Sequence, residues 1–170
     1  MILKFIMLSG EKEGFVREYE VPQDMSLADF HNFISASLNY DETAMVSFFS
    51  ADPAWHKLRE FTLLDMGAGD EEGAPLPMSE VSVFQAAPEK HDRLLYVYDL
   101  FGDRSMFVEM VGAAKPEEGA MYPRVVSARG EPPVQFSDTG FGDDDGLSIF
   151  DEALGEFGAF EGDELYDEDI

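Results

Sequence analysis

The sequence predicts an α+β domain: a mostly antiparallel sheet with one main helix packed on one face. Two observations carry that prediction. Short apolar runs separated by Gly, Pro and acidic links recur through the first 130 residues, as strands do. One stretch breaks the pattern, with apolar residues at the three-and-four spacing of a helix. A hydrophobic content of 45% and an aromatic content of 13% give such a sheet enough material for a core.

The elements follow in order. Residues 2–8 and 15–21 are apolar runs around the polar link 10–14, which Gly10 and Gly14 bound, and they read as a β-hairpin. The apolar start has a superficial likeness to a leader peptide. Polar sequence from Ser9 and the lack of a small-residue cleavage site favour a first strand. After Pro22, Ser26-Leu27-Ala28-Asp29 has the form of a helix start with a capping serine. Leu27, Phe30, Phe33, Ile34 and Leu38 then mark the buried face of a helix over 27–38. Residues 44–50 and 58–64 read as strands. Residues 65–77 are Gly-, Pro- and acid-rich and read as a loop, and Ser79 is placed to cap a short helix ending near Ala86. Residues 94–100 and 106–111 are two strong strands about a Gly-Asp turn. Residues 122–128 form a weaker strand, closed by Gly130 and Pro132-Pro133. The order hairpin, helix, strand is that of a β-grasp, or ubiquitin-like, beginning.

Charge divides the chain. Eleven Lys and Arg stand against 36 Asp and Glu, a net charge of −25. The last base is Arg129, and residues 138–170 hold 13 acids and no base. The expected organisation is a globular domain over 1–137 and an acidic tail over 138–170. Such a surface repels nucleic acid phosphates and anionic lipid heads, and favours basic protein surfaces. No apolar run approaches the length of a membrane span, so a cytoplasmic protein is expected. Without cysteine, thiol catalysis and cysteine-held zinc are excluded.

Several motifs resemble those of one family. Val21, Pro22, Met25, Leu27, Ala28, Asp29, Phe30 and His31, with Tyr40-Asp41 after the helix, are similar to its N-terminal pattern. Tyr96-Val97-Tyr98-Asp99-Leu100-Phe101-Gly102-Asp103 resembles its Tyr-x-Tyr-Asp-Phe-Gly-Asp signature, and Tyr122-Pro123 and Pro132-Pro133 match later pairs. On these residues the chain resembles the plasmid pRiA open-reading-frame-three-like family, some of whose members are labelled insertion-element passengers. The resemblance covers about residues 1–135. It implies an α+β fold with a ubiquitin-like start and carries no reaction with it. The chain departs from the family pattern at three places. Leu100 is inserted in the signature, Arg104-Ser105-Met106 stands where the pattern has Trp-x-His, and Val134-Gln135 stands where it has Glu-Asp.

The candidate residues divide into structural and functional readings. Tyr96 and Tyr98 share a strand face. They either line a pocket with Asp99 or simply pack, as aromatic residues on strands do, and Gly102 and Asp103 complete the family motif. His31 sits one turn from Leu27 and reads as a packed histidine; His31, His56 and His91 include no metal-binding spacing. Asp143, Asp145 and Glu152 have ligand types of a calcium loop, but Phe141 supplies no oxygen at its first position, so no specific metal site is expected. Gly67 and Gly69 precede acids, which opposes a phosphate loop. No cofactor is expected.

In the tail, Leu147, Phe150, Leu154 and Phe157 recur at helical spacing, which predicts an amphipathic helix over 148–158. Gly155 and Gly158 weaken it by roughly 1 kcal/mol each against Ala, so it needs a surface to pack on. Phe150, Leu154 and Phe157 then either dock on their own domain or a second copy, or bind a partner, the remaining alternative being plain disorder. The function expected is a non-enzymatic protein-interaction module, whose partner has a basic surface, or which self-associates. The alternatives are a small hydrolase or transferase with a site near Tyr96, Tyr98 and Asp99, and an acidic mimic of nucleic acid that occupies a DNA-binding protein.

Overall fold

Strand alternation lays down the architecture seen in a computed structural model of the chain, which describes residues 1–65 and 72–136. The strands are β1 (Ile2–Ser9), β2 (Val16–Pro22), β3 (Ser47–Ala51), β4 (Lys57–Thr62), β5 (Leu76–Pro77), β6 (Arg93–Asp99), β7 (Arg104–Ala114) and β8 (Arg124–Arg129). They form one eight-stranded sheet in the order β5-β4-β3-β6-β7-β1-β2-β8. Every pairing is antiparallel except β4 with β5. The helices are α1 (Leu27–Leu38) and the single-turn α2 (Val83–Ala86), preceded by a 3-10 turn at Met78–Glu80. The fold is thus α+β and rich in sheet, with few helices. None of the helices among the described residues is long and apolar enough to cross a membrane.

Period two selects the core face. Leu3, Phe5 and Met7 of β1, Tyr19 and Val21 of β2, Leu94, Tyr96 and Tyr98 of β6, and Met106, Val108 and Met110 of β7 are all buried together. Period 3.6 supplies the other layer: Leu27, Phe30, Ile34 and Leu38 of α1 join the same cluster. Phe30 lies at the centre, with the rings of Phe5 and Phe48 at 5.2 and 5.8 Å and Tyr19 edge-on at 6.2 Å.

The helix expected over 27–38 has those bounds. Ser26 Oγ accepts the Asp29 amide at 3.0 Å, and Asn39 ends the helix in the left-handed region at φ 61°. Other elements shift. Ser79 does not cap the second helix; it lies within the 3-10 turn, and Ser82 caps α2 instead. The reason is local, because Gln85 stands three residues after Ser82 and closes a reciprocal capping box. β3 begins at Ser47, not at 44. β4 is displaced to start at Lys57, and β8 begins only after Pro123. Part of the 65–77 loop is strand: Leu76–Pro77 pairs in parallel with Phe61–Thr62. The β1–β2 hairpin and α1 begin the chain as expected, and the second neighbour of β1 is β7, antiparallel.

Candidate functional site

Tyr96 and Tyr98 point from β6 to the helix side of the sheet, and each enters a different polar group. The Tyr96 hydroxyl lies 2.8 Å from His31 Nδ1 and 3.2 Å from Ser35 Oγ. His31 and Ser35 are one helical turn apart on α1, which places both side chains on one face. His31 Nε2 is 3.1 Å from the Glu42 carbonyl. A carbonyl only accepts, so Nε2 carries the proton, Nδ1 accepts from the Tyr96 hydroxyl, and Ser35 donates to the Tyr96 oxygen. Burial pushes the His31 pKa down and the Tyr96 phenol up. The group is neutral, closed and internally satisfied. His31 is packed, with 1% of its surface exposed.

The second group is ionic and centres on Arg104, the first residue of β7, which pairs across the hairpin with Asp99. A guanidinium has five N–H donors, and here each has an acceptor. Nε and Nη2 hold the Glu11 carboxylate at 2.7 and 2.8 Å. Nη1 donates to Asp99 Oδ2 at 3.1 Å and to the Gln135 carbonyl at 3.2 Å. Nη2 also donates to the Val134 carbonyl at 2.8 Å. The guanidinium lies over the Tyr98 ring, 5.0 Å from its centroid. Asp99 is buried, and its Oδ1 accepts the Gly102 amide at 3.1 Å. A Cβ at Gly102 would stand 2.8 Å from Asp99 Oδ2, so a larger residue there would displace that carboxylate. The hydrogen bonds from Arg104 hold the Glu11 carboxyl below its ordinary value, and those to Glu11 raise Arg104 further. The Tyr98 hydroxyl lies beside Glu11, fully buried, without a hydrogen bond of ordinary geometry.

What this group grips is backbone. The Tyr40 hydroxyl donates to the Pro133 carbonyl at 2.5 Å. Gln135 brackets Asp41, accepting its amide at 2.7 Å and donating to its carbonyl at 3.1 Å. Tyr40, Asp41 and Arg104 therefore fix residues 133–135 against the end of the β6–β7 hairpin, although the Val134 side chain itself is exposed. Chemically the arrangement is a clamp. Its cation is saturated and its buried carboxylate is neutralised.

The signature residues thus separate. Tyr96 belongs to the His31 group, and Tyr98, Asp99 and Gly102 belong to the Arg104 group. Asp103 faces solvent in an ion pair with Lys57 at 2.9 Å. Phe150, Leu154 and Phe157, and the helix expected over 148–158, lie outside the described residues, as do Asp143, Asp145, Gly67 and Gly69. Among the described residues, no three His, Asp or Glu side chains gather as a metal-holding group. His56 and His91 instead pair singly with Asp52 and Glu109 at the surface. Sequence reasoning missed Glu11, one of 36 acids, and treated Arg104 only as a departure from a pattern. The hairpin supplied a signal: counting back from the Gly102-Asp103 turn puts Arg104 opposite Asp99.

A family model described as plasmid pRiA4b ORF-3-like protein matches residues 3–143. The chain belongs to that family. The chain is also similar in fold to the crystal structure of MM3350, a protein of unknown function from Methanosarcina mazei Go1. That match has a TM-score of 0.60 at 20% identity and covers 94% of this chain and 81% of that one. No curated protein matches the chain. Within the plasmid pRiA4b ORF-3-like family, two of this chain's departures from the pattern meet in space: Arg104 and Gln135 are both parts of the clamp.

Proposed function

We propose that this member of the plasmid pRiA4b ORF-3-like family is a non-enzymatic protein-interaction module. Its folded domain fixes the point from which the acidic segment 138–170 departs, and that segment engages a partner with a basic, apolar-lined surface through Phe150, Leu154 and Phe157. One observation carries the reading. All five donors of Arg104 are committed, and two of them hold the carbonyls of Val134 and Gln135, just before the acidic segment. The same commitment weighs against the enzyme reading, in which Asp99 would have to act as a free base. The hairpin–helix–strand order supports a β-grasp-like ancestry for the first half, and the charge of −25 supports a cytoplasmic setting with protein partners rather than nucleic acid or membrane.

The test uses the full chain and partners recovered from its native cell extract. Charge sets the association rate and apolar contact sets the residence time. Phe150→Ala with Phe157→Ala is expected to speed dissociation and leave association unchanged, and added salt to slow association. Rates indifferent to both changes, or direct binding to bare DNA, would sink the reading. A large drop in the melting temperature of the double variant would place the stripe in the protein's own core.

A further inference from the structure

A cavity of about 410 Å³ opens beside the outer end of the sheet, far in sequence from the Arg104 clamp. One wall is β4, whose Arg59 and Phe61 are two residues apart and so share a face. The other wall is the 3-10 turn with α2, which brings Glu80, Val81 and Gln85; Leu76 of β5 contributes to the lining as well. Its volume falls within the range of small-molecule pockets, about 300 to 1,000 Å³.

The two walls carry opposite charge. Arg59 is half-buried and donates through Nε to the Ala74 carbonyl at 2.8 Å, which fixes the guanidinium plane. Among the described residues Arg59 forms no ion pair, as is also true of Arg17 and Arg129, whereas Arg93, Arg104 and Arg124 each have one. Of the described residues that line the cavity, Arg59 is the one cation and Glu80 the one anion. Glu80 is exposed at the opposite wall. Gln85 is committed through Oε1 to the Ser82 amide, so its N–H₂ group is the end left to donate. Phe61 and Val81 are buried and give the cavity an apolar floor.

These features select a ligand class. A simple carboxylate would match Arg59 but meet Glu80 and the repulsion of the whole acidic surface. A simple amine would be drawn in by that surface but meet Arg59. A molecule bearing both charges is neutral overall and satisfies both walls, and the apolar floor asks for an apolar side chain. We infer that this cavity binds a small zwitterion with an apolar side chain, an α-amino acid of the leucine, methionine or phenylalanine type. Arg59 holds its carboxylate, Glu80 its ammonium group, and Phe61, Leu76 and Val81 its side chain. The cavity's lining lies wholly within residues 50–86.

Titration calorimetry on the full chain tests it with L-leucine, L-methionine and L-phenylalanine. At least one should give a saturable single site. For leucine, the controls are 4-methylpentanoate, which lacks the ammonium group, and 3-methylbutylamine, which lacks the carboxylate. Each control, and the corresponding analogue for another amino acid, should bind about tenfold or more weakly, as the loss of one charge-assisted hydrogen bond predicts. Arg59→Gln and Glu80→Gln should each weaken the amino acid by a similar factor. Glu80 is exposed, so its variant keeps the fold, and thermal midpoints of both variants check this. Methyl resonances of Leu76 and Val81 should shift on binding. The inference is overturned by no saturable binding up to millimolar concentration, by analogues as tight as the amino acid, by folded variants with unchanged affinity, or by shifts that miss Leu76 and Val81.

Discussion

Tyr96 and Tyr98 stand on one face of one strand, two residues apart, and their surroundings obey opposite rules. Around Tyr96 every group is neutral and every polar atom has a partner inside the core. Around Tyr98 there are two carboxylates and a guanidinium, and the tyrosine's own hydroxyl is the atom left without a bond. Depth explains the difference. Beneath α1 a charge would lie far from water, where its desolvation is costly, and burial accordingly lowers the His31 pKa in favour of the neutral ring. At the hairpin end Glu11 is partly in water, and Arg104 bridges from solvent to the buried Asp99. The neutral group joins helix to sheet. The charged group joins a distant chain segment to the sheet, which takes long-reaching donors in a fixed fork.

The largest effect should come from breaking the charged group. Arg104→Met leaves Asp99 buried and unpaired and strips two carbonyls of their donors. A loss of about 3 to 5 kcal/mol is expected in urea unfolding. The amide of Asp41, which Gln135 accepts, should lose hydrogen-exchange protection in step. Arg104→Lys should fall between, because an ammonium keeps the charge but not the five-donor fork. A loss under 1 kcal/mol for Arg104→Met would mean that the clamp is a surface ion pair of little weight.

The neutral group should give a smaller loss with a pH signature. Tyr96→Phe takes away the 2.8 Å donor of His31 Nδ1 and leaves only the longer approach of Ser35 Oγ at 3.4 Å, at a cost of about 1 to 3 kcal/mol. His31 has a folded pKa below its ordinary 6.5, so its contribution is complete above 6.5 and is lost as pH falls through the lower folded value. Glu11 is likewise depressed from 4.5, so its contribution is lost only as pH falls below that. The stability difference between wild type and His31→Gln should therefore shrink as pH drops from 7 to 5, while the Arg104→Met difference holds until pH falls below 4.5. Taking differences removes the relief of self-repulsion that a chain of net charge −25 gains on acidification. Equal pH profiles for the two differences would erase the distinction between the two groups.

The contrast also marks what a sequence can show. Helix α1 was legible to the residue, because its cap, its apolar period and its stop are all local signals. The strands of the central sheet were legible within about three residues for the same reason. β5 was not, since two residues ending in Pro77 acquire strand geometry only by lying against Phe61–Thr62. Ser79 was read as the cap of the second helix, but Ser82 caps it, and the deciding partner is Gln85. At the site, Tyr96 and His31 were each singled out, but their bond spans 65 positions and no local pattern encodes it. Arg104 and Gln135 were visible as departures from a family pattern, 31 positions apart. Only the fold shows that they are one device.

The smallest effect is the sharpest test of how Tyr98 differs from Tyr96. Removing a hydroxyl that has a good buried partner costs roughly 1 kcal/mol, whereas removing one that has none costs nothing and relieves a desolvated polar atom. The Tyr98 ring must stay, because Arg104 lies over it and Tyr40 packs on it at 5.5 Å between centroids. Tyr98→Phe keeps the ring and takes only the oxygen. The expected result is a change within about 0.5 kcal/mol of zero, or a gain, at pH 7. The same exchange at Tyr96 should be destabilising, so the two variants together form a matched pair on one strand face. A loss above 1 kcal/mol for Tyr98→Phe would show that the hydroxyl bonds Glu11 in solution. Glu11 would then be held by Tyr98 as well as Arg104, and a Glu11→Gln variant, which keeps an acceptor but no charge, would weaken the first contact far less than the second.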